Sequence, residues 1–185
     1  MSDKENLSHP ALFLDRDGVI NIDHGYVYKK EDFEFSKGIF DLVKLFTSKG
    51  YLIFVVTNQS GIGRGYYSEK DFLILNQWML NKFKQKGIHI EQVLYCPHKP
   101  NTNCKCRKPN TALIEEILEN HNIDLSKSYL IGDKQSDIDL TVNAGIKYSI
   151  YIGNEKINNC TLQFKTILNC QKYFKNEKIW GDSHK

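Results

Sequence analysis

Phe13-Leu14-Asp15-Arg16-Asp17-Gly18-Val19-Ile20-Asn21 is the segment that places everything else in this chain. The apolar run from Ala11 to Leu14 stops at two aspartates one residue apart, followed at once by glycine. Unbroken apolar residues of that kind suit a strand buried on both faces. Side chains two positions apart on a strand point the same way, so Asp15 and Asp17 emerge together at its carboxyl end. Crowded carboxylates repel, and burial raises the cost of ionising both. A hard divalent cation with oxygen ligands, Mg²⁺, relieves that repulsion, and Gly18 allows a tight turn beside a ligand. A surface Asp-x-Asp-Gly turn is the plainer alternative. An EF-hand Ca²⁺ loop is excluded, because the acceptor pattern does not run on to a bidentate Glu.

Outward from this segment, strand-like and helix-like stretches alternate. Apolar strands are expected at Ala11–Leu14, Tyr51–Val56, Ile90–Tyr95, Ser128–Ile131 and Tyr148–Ile152. Ile39, Leu42, Val43 and Phe46 recur at helical spacing, as do Leu113, Ile114, Ile117 and Leu118. So do Phe72, Leu75, Met79 and Phe83, behind a Ser68-x-x-Asp71 capping box. A shorter helix runs from Ser136 to Ala144 and stops at Gly145. This alternation predicts a Rossmann-like three-layer α/β sandwich with a central parallel sheet, whose ligands bind outside the carboxyl ends of the strands. Only about 40 residues separate Asp17 from Thr57, too few for a large cap domain.

The 185 residues fit one domain, with mobile termini expected at 1–9 and 175–185. A hydrophobic content of 41% with 12% aromatics argues for a globular fold. No apolar run approaches the ~20 residues of a membrane span, and the polar start does not read as a signal peptide. A net charge of +3 is mild, without the clustered basic stripe that nucleic acid requires. Lys82, Lys84 and Lys86 read as a solvated face. The expected setting is therefore cytoplasmic, with no nucleic-acid or membrane partner, a small anionic substrate and a monomeric state.

Strand tips supply the chemistry. The first ends in Asp15 and Asp17, the second in Thr57-Asn58-Gln59-Ser60, and the fourth in Gly132-Asp133-Lys134. The run Gly61-Ile62-Gly63-Arg64-Gly65-Tyr66 fails as a dinucleotide fingerprint, because Tyr66 stands where the third glycine belongs, and no Gly-Lys-Ser/Thr makes it a Walker loop. It reads instead as a flexible turn whose hydroxyls, amides and Arg64 bind phosphate oxygens.

With those residues in view, the chain resembles the haloacid dehalogenase-like phosphatases over roughly residues 10–155. Four motifs carry the likeness: Asp15-Arg16-Asp17-Gly18, Thr57-Asn58, Arg107-Lys108-Pro109 and Gly132-Asp133-Lys134-Gln135-Ser136-Asp137. Within that superfamily it is similar to the D-glycero-heptose-1,7-bisphosphate 7-phosphatases of nucleotide-activated heptose biosynthesis. That likeness rests on Asn21-Ile22-Asp23-His24-Gly25-Tyr26-Val27 and Thr57-Asn58-Gln59-Ser60-Gly61-Ile62 with Arg64-Gly65. Histidinol-phosphate phosphatases share the motifs, but typically carry Asp in place of Ser60 and Arg after the fourth-motif aspartate. After Pro109 this chain reads Asn-Thr-Ala, where heptose enzymes often have Pro-Gly-Met.

The resemblance implies a mechanism. Asp15 is the nucleophile that forms an aspartyl-phosphate, and Asp17 is acid, then base. Thr57 and Lys108 hold phosphoryl oxygens. Mg²⁺ is held by Asp15, Asp133 and the backbone carbonyl of Asp17. Asp23, His24, Gly25, Tyr26, Asn58, Gln59, Ser60, Arg64, Arg107 and Lys134 are expected to contact a phosphorylated sugar. Asp137 supports Lys108 or a metal-bound water, or caps its own helix.

Cys96-Pro-His98 and Cys104-Lys-Cys106 supply three thiolates and an imidazole in one short loop, a donor set for structural Zn²⁺. Zinc there would stiffen the segment leading into Arg107 and Lys108. His9, His121 and His184 are expected to be solvated, His89 to start a strand, and Cys160 and Cys170 to be buried. A zinc-module binding protein with an inactive phosphatase core is the alternative from another class.

Overall fold

The computed structural model describes residues 8–176 and Trp180. Six strands form one sheet in the order β3-β2-β1-β4-β5-β6, every neighbouring pair parallel. They are β1 (Ala11–Leu14), β2 (Leu52–Asn58), β3 (Gln92–Cys96), β4 (Tyr129–Gly132), β5 (Tyr148–Ile152) and β6 (Leu162–Phe164). The helices are α1 (Ile39–Ser48), α2 (Ser60–Arg64), α3 (Glu69–Gln85), α4 (Ala112–Asn120), α5 (Gln135–Ala144) and α6 (Ile167–Phe174).

The period-2 pleat of β1 explains the layers. Leu12 and Leu14 face one side, among Phe46 of α1, Met79 and Phe83 of α3, and Ile167 and Phe174 of α6. Ala11 and Phe13 face the other, among Leu113, Ile114 and Ile117 of α4 and Leu140 of α5. Both faces are covered, so all four residues of β1 are fully buried. The chain builds outward from β1 through β2 to β3, then returns to lay β4, β5 and β6 on the other side. This reversal opens a crevice at the carboxyl end of β1. Asp15, Thr57 and Asp133 all lie at that end.

The expected strand and helix series is present, with shifted bounds. β3 begins at Gln92 rather than Ile90, so His89 does not start a strand; it is exposed, next to Ile88 and Ile90, which are buried without strand pairing. The glycine-rich run after β2 is not a flexible turn but the helix α2, closed by Gly65 in the left-handed region. Leu118 lies 37% exposed on α4 and adds little to the core. His121 is not simply solvated, since its ring meets Phe54 edge-on at 5.0 Å. Cys170 is buried as expected, whereas Cys160 is only half-buried.

β6 and α6 extend the sheet and its cover beyond residue 155. Most of the segments expected to be mobile, 1–7, 177–179 and 181–185 with His184, lie outside the described residues. His9 and Trp180 depart from that expectation. His9 bridges to Ile123 through backbone hydrogen bonds to Asn122 and Asp124. Trp180 is 6% exposed, packed on Phe46 and Phe174, and its indole N–H donates to the Phe174 carbonyl. Between β1 and β2 the chain makes a 3₁₀ turn at Lys30–Asp32 and α1, with no inserted domain.

Candidate active site and zinc-type loop

Asp15 follows β1 directly, its backbone N–H donating to the Ile131 carbonyl of β4 at 3.0 Å. Its carboxylate is 3.0 Å from Lys108 Nζ, which also reaches Asp137 Oδ1 at 2.6 Å and donates to the Val56 carbonyl at 2.9 Å. This buried ammonium therefore has three protein oxygens within 3.0 Å. Burial opposes its charge, but Asp137 and Asp15 outweigh that and hold its pKa above the usual lysine range. Asp137 combines two of the three roles left open for it: it pairs with Lys108, and its Oδ2 accepts from the Lys134 backbone N–H at the start of α5.

Asp15, Asp133 and Asp137 each offer an oxygen within 4.8 Å of the others. Burial, reinforced by neighbouring carboxylates and opposed by Lys108, pushes Asp15 up to about 6. Burial and the charge of Asp15 push Asp133 up to about 7. Asp133 Oδ1 is buried without a hydrogen-bond donor. A Cβ on Gly18, whose φ is +87°, would lie 2.2 Å from Asp133 Oδ2, so only glycine admits that carboxylate here. An all-oxygen donor set with an unsatisfied buried carboxylate oxygen fits a hard divalent cation such as Mg²⁺.

The Asp17 side chain lies apart from this trio. Its Oδ1 accepts from Arg16 Nη2 at 2.9 Å and Asn21 Nδ2 at 3.0 Å. Its Oδ2 accepts from Arg16 Nη2 and Gln59 Nε2, both at 2.9 Å. Arg16 is fully buried, donates to the Val27 carbonyl and lies against the rings of Phe33 and Phe72. Gln59 also donates to Thr57 Oγ1 at 2.9 Å and accepts from the Tyr67 hydroxyl at 2.6 Å.

A cavity of about 300 Å³ opens above these groups, lined among others by Asp15, Asp17, Thr57, Arg107, Lys108 and Lys134. Asp23, Gly25, Tyr26, Asn58, Gln59 and Ser60 complete its expected lining, and Tyr67 and Ser136 line it without having been anticipated. Lys134 lies 3.3 Å from Asp23 and 3.8 Å from Asp133. Burial lowers its pKa, but those carboxylates, Asp133 foremost, raise it further. Asn58 is committed to the backbone of Lys108, accepting its N–H at 3.0 Å.

Two expected contacts are displaced. His24 is exposed beside Glu34 and lines a neighbouring cavity with Glu31 and Asp32. Arg64 lies exposed at the end of α2, outside the lining of the Asp15 cavity. Arg16, Asn21 and Tyr67 were given no role from sequence. The adjacency of Arg16 to Asp17 was the one available signal.

Cys96, His98, Cys104 and Cys106 form a second cluster, their donor atoms within 4.8 Å of one another. Cys96 Sγ lies 3.6 Å from His98 Nδ1 and from Cys104 Sγ, and 3.0 Å from Cys106 Sγ. Tetrahedral zinc, with bonds of about 2.3 Å to sulfur and 2.0 Å to nitrogen, needs separations of roughly 3.5–3.8 Å, so a small expansion of this cluster admits the ion. Next to it, the Gln59 N–H donates to the Cys96 carbonyl, and the Gly63 N–H to the Pro97 carbonyl. The loop therefore abuts β2 and α2 as well as Arg107.

A HAD-hydrolase-like family model matches residues 105–159. The chain is 49% identical over 78% of its length to the D-glycero-beta-D-manno-heptose-1,7-bisphosphate 7-phosphatase of Helicobacter pylori, covering 84% of that protein. It is 45% identical to the alpha-anomer 7-phosphatase of Campylobacter jejuni, over 91% of this chain and 98% of that one. Its fold matches the D,D-heptose 1,7-bisphosphate phosphatase of B. bronchiseptica, solved with magnesium and phosphate, at a TM-score of 0.80. That match covers 91% of this chain and 99% of the other at 24% identity.

Proposed function

This chain belongs to the D-glycero-D-manno-heptose-1,7-bisphosphate 7-phosphatase family of HAD-like hydrolases, and from that premise we propose that it removes the 7-phosphate of this sugar through an aspartyl-phosphate on Asp15. The observation that carries the reading is the buried Lys108 ammonium, 3.0 Å from Asp15 and 2.6 Å from Asp137, beneath a polar cavity.

Asp15 attacks phosphorus while the ester oxygen departs with a proton from Asp17; water, deprotonated by Asp17, then hydrolyses the acyl phosphate. Lys108 sits where it offsets the charge gathering between Asp15 and the phosphoryl oxygens, and the Thr57 hydroxyl donates to one of those oxygens. A bound Mg²⁺ would be held by Asp15, Asp133 and the Asp17 carbonyl, with Asp137 close by, and would screen carboxylate from phosphate. Lys134, just past β4, and Arg107, in the loop before α4, provide cations for the substrate's phosphates. His24 reaches the sugar only if its loop closes over it, and Arg64 only if the end of α2 moves toward the cavity.

Zn²⁺ at Cys96, His98, Cys104 and Cys106 is the structural half of this reading, supported by the donor set and the separations. A cytoplasmic, monomeric enzyme without nucleic-acid or membrane partners completes it. Among the described residues no helix is long and apolar enough to cross a membrane. Relatives are named for both anomers, so the test is phosphate release from the α and β heptose 1,7-bisphosphates beside histidinol phosphate. One heptose anomer is expected to give the highest kcat/KM. A preference for histidinol phosphate would transfer the assignment to that reaction, and no release from any of the three would favour a binding protein.

A further inference from the structure

The geometry points to Gln59, oriented by Tyr67, as the positioning residue that aims the Asp17 carboxyl at the departing ester oxygen, an inference that rests on the phosphatase reading above. Arg16 and Asn21 grip Asp17 from within its own loop. Gln59 reaches it across 42 residues, from the tip of β2 that also carries Thr57. Its carboxamide is 2% exposed and fully used: one N–H donates to Asp17 Oδ2, the other to Thr57 Oγ1, and the carbonyl accepts from Tyr67. Rotating that amide by half a turn would set its oxygen against the Asp17 carboxylate. The Tyr67 hydroxyl, donating to the carbonyl, opposes the rotation.

Tyr67 is itself fixed. One face stacks on Tyr28 at 5.1 Å and 10°. Gly61 lies so close that a Cβ there would come within 2.1 Å of the ring. Burial, with Arg16 opposing, lifts the phenol to about 12, so it remains a donor at any assay pH near neutrality. Because Thr57 Oγ1 accepts from Gln59, its own hydrogen is left to point at a phosphoryl oxygen. The relay of Tyr67, Gln59 and Asp17 thus serves the proton transfer: as the P–O bond breaks, the Asp17 proton passes to the sugar oxygen, and water later returns one to Asp17.

The experiment compares two probes. Heptose 1,7-bisphosphate loses an alkoxide that needs a proton, whereas p-nitrophenyl phosphate loses a phenolate that does not. Tyr67→Phe, which keeps the stacked ring, is expected to slow single-turnover release of the sugar leaving group about tenfold with KM held within about twofold, and to slow p-nitrophenolate release, read before the Asp17-assisted hydrolysis that both probes share, no more than about threefold. Gln59→Met should show the same bias at about thirtyfold or more, and the double variant should be no slower than Gln59→Met alone, because the two residues act in series. Equal losses on both probes, a change confined to KM, or multiplicative losses in the double variant would each overturn the relay while leaving the phosphatase reading in place. Wild-type protein that releases phosphate from neither probe would overturn that reading, and the relay with it.

Discussion

The carboxylate centre and the cysteine loop are built on opposite plans. Asp15 and Asp133 stand just beyond strand tips and Asp137 in the first turn of α5, with Lys108 buried among them as a counter-charge the chain supplies for itself. The sheet and its two apolar layers frame this group. Cys96 ends β3, and His98, Cys104 and Cys106 lie between β3 and α4, with His98 exposed and Cys104 and Cys106 half-buried. Cys96 lies in the apolar layer with Leu113 and Ile114, and Cys104 and Cys106 pack against it, so in the reading proposed above a zinc ion would complete the order of a loop already anchored at one end. In the proposed reading one centre takes its cation for chemistry, and the other for shape.

Removing the internal counter-charge should do the greatest damage. Lys108→Met leaves Asp15 and Asp137 facing each other in a buried site; a stability loss of about 3–5 kcal/mol is expected in urea titrations, with turnover too low to measure. Unchanged stability would mean that the centre does not depend on the lysine. Asp17→Asn should lower kcat on the sugar phosphate by about 10³-fold while phosphate still binds, as isothermal titration can check. Chelating zinc should cost about 10²-fold in kcat through misplaced Arg107 and Lys108, with the far-UV spectrum of the sheet unchanged. Full activity after metal analysis shows the loop to be empty would uncouple the two regions. Arg107→Lys, which keeps charge but loses the planar fork, should raise KM by about tenfold and leave stability alone.

How legible each region was in the sequence follows from the same contrast. β1 and β5 were readable to the residue, because their largely apolar runs end sharply at charged or glycine residues. The metal-type clusters were readable because their donors are close in sequence or sit at strand ends. β6 was missed: Leu162-Gln163-Phe164 is three residues long and lies at the sheet edge, where its pattern is no stronger than that of a loop. α6 shows its apolar side only as Ile167, Cys170 and Phe174 among lysines and polar residues. The setting of Asp17 was hidden for another reason. A fully buried arginine resting on Phe33 and Phe72, and a tyrosine acting through Gln59, depend on contacts between distant segments. His24 lies outside the cavity because residue type in a loop does not fix the direction a side chain takes, and Arg64 because the run expected to be a turn folds as α2.

The central claim is that strand-tip side chains gather around one ester with Asp15 as the attacking group. A ³¹P NMR time course of heptose 1,7-bisphosphate with Mg²⁺, run on wild-type protein and on Asp15→Asn, tests it directly. The account predicts loss of the 7-phosphate resonance with the 1-phosphate retained in the wild type, and no change over the same period in Asp15→Asn. Phosphate release by Asp15→Asn at a rate near that of the wild type would contradict it.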